Sequence, residues 1–212
     1  MLTSHLAELV APADLIDTRR GEAVTLRFIG PSDANDLQAY VRSLSSRSRH
    51  NRFLGALSEL PKALLDDFVA VGKDDRFTLL ATMDIDGVEV IVGEARYAFH
   101  AESASVEFGL SVHDRWQGHG IGPALMKNLE GRAAALGATS LFGDTLRSND
   151  VMIAVAKASG FALRQHPYDW TLVRFEKQLS PVQAGNRAAD SPSPSVRLVV
   201  VSRRADESAA AN

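Results

Sequence analysis

From residue 24 to residue 176 the chain is built of apolar runs with two different spacings, and the spacing separates strands from helices. Residues 24–29, VTLRFI, are a β-branched run stopped by Gly30-Pro31. Ser32-Asp33 then caps a stretch that carries Leu37, Tyr40, Val41 and Leu44 on one face, which predicts a strand followed by a helix. Residues 59–71, ELPKALLDDFVAV, repeat the helical spacing, with Pro61 tolerated in the first turn and Gly72 available to end it. Residues 76–83, RFTLLATM, run into Asp84-Ile85-Asp86-Gly87, whose Asp-Gly pair signals a tight hairpin, and VEVIVGEARYAF continues as a long strand to Phe99. ASVEFGLSV, residues 104–112, alternates as the next strand. A helix over 121–136 closed by Gly137, a strand in TSLFGDTL, a helix over 149–159 closed by Gly160 and terminal strands in FALRQHP and DWTLVRFE complete the pattern. The fold class is α/β (α+β), with a mixed sheet.

Two segments fall outside this pattern. SLSSRSRHNRF, residues 43–53, sets Arg47, Arg49 and Arg52 among serines with no apolar period, and is expected as a loop or frayed helix end on the surface, with an anion-gripping role as the alternative. From about Lys177 the chain turns to Gln, Ala, Ser, Pro and Asp, a composition that cannot bury enough apolar area to offset its ordering entropy. RLVVVS, residues 197–202, is the exception and is suited to an edge strand or a partner surface. The expected organisation is an N-terminal extension over 1–22, one domain over 23–177 and a low-complexity, partly disordered tail over 178–212.

Composition narrows the function classes. The chain has 212 residues, 45% of them hydrophobic, enough for one large domain with a true core. A net charge of −3 lacks the positive field on which non-specific nucleic-acid binding relies. With no cysteine there are no disulfides, thiolate zinc sites or thiol nucleophiles. The histidines at 5, 50, 100, 113, 119 and 166 show no paired spacing, so no metal is expected. No apolar run reaches the roughly 18 residues of a membrane span, and Glu8, Asp14 and Asp17 stand where a signal peptide would be apolar, so the cytoplasm is the expected location.

The stretch RWQGHGIGPALM, residues 115–126, places three glycines in front of a helix. A dinucleotide fingerprint would need a third glycine where Pro123 stands, and a P-loop would need Gly-Lys-Ser/Thr; neither pattern is present. What remains is a strand, a turn and a helix tip whose orphan N–H groups and partial positive charge make an anion site. Glycines let a diphosphate approach the amides of residues 118–122, and Pro123 has no N–H to give, so Ala124 is the next expected donor. A plain tight turn is the competing explanation.

The set Gln117, Gly120 and Gly122 between a strand and a helix, with Asn149 and Ser159-Gly160-Phe161 farther on, resembles the GCN5-related N-acetyltransferase superfamily over residues 24–176. The N-terminal half is similar to the acetyltransferase domains of bacterial protein-lysine acetyltransferases. The resemblance implies a twisted, mostly antiparallel sheet of six or seven strands with about four helices, splayed between the strands at 104–112 and 139–146. It implies acetyl-CoA as co-substrate, its diphosphate on Gln117, Gly118, His119, Gly120, Ile121, Gly122 and Ala124, its pantetheine arm along Leu110, Ser111 and Val112, and a contact from Asn149. His119 would be a solvent-facing spacer whose amide matters. Asp144 would be a wall of the acceptor pocket or a capping residue, and Trp116 a packing residue.

By the same resemblance Glu107 would act as general base, directly or through water. Its position opposite Val106, Phe108, Leu110 and Val112 also fits a merely exposed polar residue. A backbone N–H between Leu110 and Val112 would hold the oxyanion. Relatives place a tyrosine seven residues after the asparagine to protonate the thiolate; here Ala156 occupies that position, leaving Ser159 or water for the role. The implied activity is acetyl transfer to a primary amine, on a small molecule or a protein lysine, by direct attack in a ternary complex. The alternative is a non-catalytic acyl-CoA sensor or interaction module. No membrane or nucleic-acid partner is expected, and a homodimer is compatible with the sequence.

Overall fold

Asp86 and Gly87 both take positive φ, 55° and 81°, and reverse the chain from β3 (Arg76–Ile85) into β4 (Val88–His100), as an Asp-Gly hairpin requires. The computed structural model describes residues 13–18 and 20–179. Around this hairpin lie β1 (Asp14–Asp17), β2 (Ala23–Phe28), β5 (Ser105–Val112), β6 (Ser140–Leu146), β7 (Ala162–Gln165) and β8 (Leu172–Gln178). They form an eight-stranded sheet in the order β1-β2-β3-β4-β5-β6-β8-β7. Neighbours pair antiparallel except β5 and β6, which are parallel.

Among the described residues five α-helices cover the sheet: α1 (Ala34–Ser43), α2 (Ser46–Phe53), α3 (Lys62–Val69), α4 (Ile121–Ala135) and α5 (Asp150–Ala158). Leu37, Tyr40, Val41 and Leu44 bury against Leu80 and Ile91 on one face of the sheet, together with Phe68 of α3. Leu125, Met126 and Leu129 of α4 pack on Ala95, Tyr97 and Phe108 on the other. Alternate residues of the central strands thus feed two separate cores, which explains why β3 and β4 read as almost continuous apolar runs.

β5 and β6 pair only over Ser105↔Ser140, Val106↔Leu141 and Glu107↔Phe142. Beyond that point the strands part, where the resemblance placed the splay. Gly143 sits at the fork; a methyl group on its Cα would lie 2.6 Å from the Phe108 carbonyl oxygen and 2.6 Å from the Phe175 ring. Any larger residue there would force the strands or the ring apart.

Two expectations change, and one falls outside the described residues. The sheet has eight strands rather than six or seven, because Asp14–Asp17, read as part of an N-terminal extension, pairs with Ala23–Phe28. The described residues hold five α-helices rather than about four, because SRSRHNRF forms a regular helix and not a loop or frayed helix end. Polar anchors hold it in place of an apolar stripe: the Ser45 hydroxyl accepts from Ser48 N, and Arg49 donates to the carbonyls of Leu57, Arg42 and Leu44. The expected tail beyond residue 179, including RLVVVS, lies outside the described residues.

Candidate active site

The fork between β5 and β6 opens into a cavity of about 530 Å³. Gly109–Val112 form one wall, Asp144 and Thr145 the other, and Gln117–Gly118 with Gly120–Gly122 stand at one end. α2 contributes Arg47, Ser48, Asn51 and Arg52, and α5 contributes Met152 and Val155.

The register shows which backbone groups face this space. His113 N–H donates to Val92 O, so in the antiparallel pairing of β5 with β4 Ser111 also turns its backbone toward β4, while Leu110 and Val112 present theirs to the open fork. Val112 O is already engaged by Gln117 Nε2 at 3.1 Å. Among the described residues Leu110 N–H, Leu110 C=O and Val112 N–H have no strand partner on this side.

At the other end Gly118 and Gly120 have φ of 80° and 93°, a left-handed conformation that side chains resist, and α4 begins immediately after. Among the described residues no acceptor engages the amides of residues 118–122. The helix tip therefore offers a cluster of free donors with the dipole behind them. Ala124 is not among them: its N–H donates to Gly120 O at 3.1 Å and closes the first helical turn. His119 is not a solvent-facing spacer either. It is 7% exposed, turned away from the cavity, with its ring edge-on to Trp116 and Nδ1 3.2 Å from Glu22. The Thr18 hydroxyl, more than His119, holds the Glu22 carboxyl below its usual range.

Under the β5 wall lies a buried polar chain that sequence reasoning missed. Glu94 accepts from Arg52 Nε at 2.6 Å, Arg52 Nη2 at 3.0 Å and Ser111 Oγ at 2.7 Å. Because the Ser111 hydroxyl donates to Glu94, Tyr40 OH must be the donor in the 3.0 Å bond to Ser111 Oγ. Burial works against the Arg52 charge, but Glu94 more than restores it and raises the guanidinium above its ordinary range. Burial likewise pushes the Tyr40 phenol up, keeping it a donor. Ser111 thus supports the wall through its side chain rather than offering backbone to the fork. The available sequence signal was Glu94 itself, a carboxylate in the apolar run VEVIVGEARYAF that needs a buried partner.

A sequence model described as the Acetyltransferase (GNAT) family matches residues 41–161, which hold the fork, the glycine turn and all of α5. The chain belongs to the GNAT acetyltransferase family. It is similar to Acetyltransferase PA5475 of Pseudomonas aeruginosa, 29% identical over 153 residues that make up 72% of this chain and 82% of that protein. Among solved structures, the GNAT domain of S. lividans PAT superposes with a TM-score of 0.72 at 24% identity, covering 79% of this chain and 97% of that one. A GNAT superfamily phosphinothricin acetyltransferase from Sinorhizobium meliloti, solved in complex with AcCoA, gives 0.59 at 21% identity, covering 82% and 95%. The protein is a GNAT acyltransferase.

The remaining sequence-derived residues of this GNAT domain fall into two groups. Asn149 lines the cavity but is also committed locally: Oδ1 caps α5 by accepting from Met152 N at 3.3 Å, and Nδ2 donates to Thr145 Oγ1 at 2.9 Å. Asp144 is a cavity wall, held by a two-point pair with Arg174 at 2.9 and 2.7 Å. Glu107 lies outside the lining, about half exposed at the root of the fork, with Oε2 3.3 Å from His100 Nε2. Ala156, the tyrosine position of relatives, is fully buried in the core and does not face the cavity.

Proposed function

We propose that this GNAT protein transfers the acetyl group of acetyl-CoA to a primary amine, by direct attack of the amine on the thioester while both are bound. One observation carries the reading: a free amide cluster at a helix tip and an unpaired strand edge open into the same cavity. The first suits a diphosphate and the second an amide-bearing pantetheine arm, which would add to Leu110 and Val112 as a strand does. The acetyl-CoA complex of the S. meliloti neighbour supports this cofactor assignment.

The diphosphate would lie on Gly118–Gly122 and the acyl end at the closed end of the fork. An alkylamine of pKa about 10.4 is mostly protonated near pH 7, so the acceptor must lose a proton. Glu107 marks the fork's root on the same sheet face as Gly109 and Ser111, and would take that proton through a water. Leu110 N–H would hold the oxyanion. The leaving thiol, of pKa about 8.5, departs as thiolate without a tyrosine at position 156.

The acceptor is a small-molecule amine or a protein lysine. Thiol release with acetyl-CoA and a panel of polyamines, free amino acids and lysine peptides tests the reading, alongside calorimetric CoA binding. Turnover of any amine supports it. CoA binding without turnover across the panel would instead assign an acyl-CoA-binding module, the reading that Ala156 favours.

A further inference from the structure

Arg52 reaches the cavity with a donor group to spare. A guanidinium carries five N–H bonds. Glu94 engages Nε and Nη2, and among the described residues Nη1 has no acceptor. Nη1 lies directly over Gly109, where a methyl on the Gly109 Cα would sit 2.9 Å from it. Gly109 is two residues past Glu107, the last β5 residue paired with β6, so Nη1 stands at the narrow end of the fork on the face covered by α2. The side chain is only 12% exposed and has little freedom, because Glu94 grips it from behind and Ser111 grips Glu94.

We propose that Arg52 Nη1 donates to the carbonyl oxygen of the acetyl thioester, completing with Leu110 N–H the site that holds the oxyanion. This rests on the acetyl-CoA reading above: with the diphosphate at Gly118–Gly122 and the arm along Val112 and Leu110, the acyl carbon reaches Gly109. The amine lone pair forms the C–N bond as the carbonyl π pair moves onto oxygen, where both donors hold it. Return of that pair breaks the C–S bond and expels the thiolate, and the ammonium proton leaves to Glu107 or water. Arg52 stays protonated and contributes only hydrogen bonds. A fixed cationic donor in a low-dielectric site favours the developing negative charge more than the neutral ground state, and removing one such donor lowers turnover about 10²–10³-fold.

The test needs no knowledge of the acceptor. Acetyl-CoA labelled with 13C at the carbonyl is bound to wild type, Arg52→Lys, Arg52→Gln and Gly109→Ala, and the carbonyl stretch is read by isotope-edited infrared spectroscopy, with CoA affinity measured in parallel. The stretch should move to lower frequency on binding wild type. It should lose most of that shift in Arg52→Gln, and also in Gly109→Ala, where the new methyl displaces Nη1 while Glu94 remains. CoA affinity in Gly109→Ala, which leaves the Arg52–Glu94 pair in place, should stay within about threefold of wild type. An equal shift in wild type and Arg52→Gln overturns the proposal. So does loss of CoA binding in all three variants, which would make Arg52 a purely structural residue. Failure of the wild type to bind acetyl-CoA would remove the cofactor reading itself.

Discussion

Replacing Glu94 by Gln tests whether the buried polar chain holds the β5 wall. Glu94 is 1% exposed and Arg52 12%, so solvent screens their interaction little. The glutamine keeps the shape of the glutamate but has one acceptor oxygen for three donors, and its amide nitrogen must face a guanidinium or hydroxyl donor. The Arg52 charge would then remain buried without its counter-charge. Breaking one side of such a pair costs about 3–5 kcal/mol, a large part of the roughly 5–15 kcal/mol that holds a domain folded. At about 2–4 °C per kcal/mol for a domain of this size, the melting midpoint should fall by about 10 °C. Urea unfolding followed by circular dichroism measures the change directly. The companion Glu94→Leu/Arg52→Met should lose less than either single replacement, because no charge is stranded. Stability of Glu94→Gln within about 0.5 kcal/mol of wild type, with additive behaviour in the double variant, would refute the argument and leave α2 positioned by its other contacts.

Three further outcomes are expected. Gly120→Val should lower CoA affinity at least tenfold with the far-ultraviolet spectrum retained, since a β-branched residue resists the φ of 93° and its side chain would crowd the amide cluster; unchanged affinity by calorimetry would remove the diphosphate argument. Glu107→Gln should reduce kcat about 10²-fold or more while leaving the KM for acetyl-CoA unchanged, and a wild-type rate would reduce Glu107 to an exposed strand residue. For Asp114, burial raises the carboxyl, but the Ser45 amide and the Ser45 and Ser48 hydroxyls outweigh that and hold it below its usual range. Its stabilisation is therefore complete above the unfolded value near pH 3.9 and lost as pH falls through the lower folded value, so the stability gap between wild type and Asp114→Asn should be flat from about pH 8 to 5 and shrink below about pH 4; a gap independent of pH contradicts this.

The parts of the site that were legible in the sequence are those whose chemistry lies in the backbone. Gly118 and Gly120 before a helix and Gly122 in its first turn announce a donor cluster because the groups there are main-chain amides, and the main chain needs local sequence alone. Seven of the eight described strands and four of the helices followed from apolar spacing, since burial on a sheet face or helix stripe imposes it. α2 escaped because Ser45, Arg49 and Arg52 hold it through polar bonds to residues up to 69 positions away, and such bonds leave no periodicity. The orientation of His119 was hidden for the same reason: its partner Glu22 is 97 residues distant. β1 escaped because four residues, DLID, are too few to show alternation.

The parting of β5 from β6 also bears on solubility. Unpaired strand edges recruit other chains, and proteins blunt them with charges, bulges or covering elements. Here the unsatisfied groups of Leu110 and Val112 lie inside a cleft walled by Asp144, Thr145 and α5. A slim linear molecule can slide in, but a polypeptide strand, with side chains projecting to both faces, would have to fit them past Arg47, Ser48, Asn51 and Arg52 of α2 and Met152 and Val155 of α5. The fold thus sets its open hydrogen-bonding edge inside a cleft, where a neighbouring copy in a crowded solution meets the cleft walls before it meets the edge.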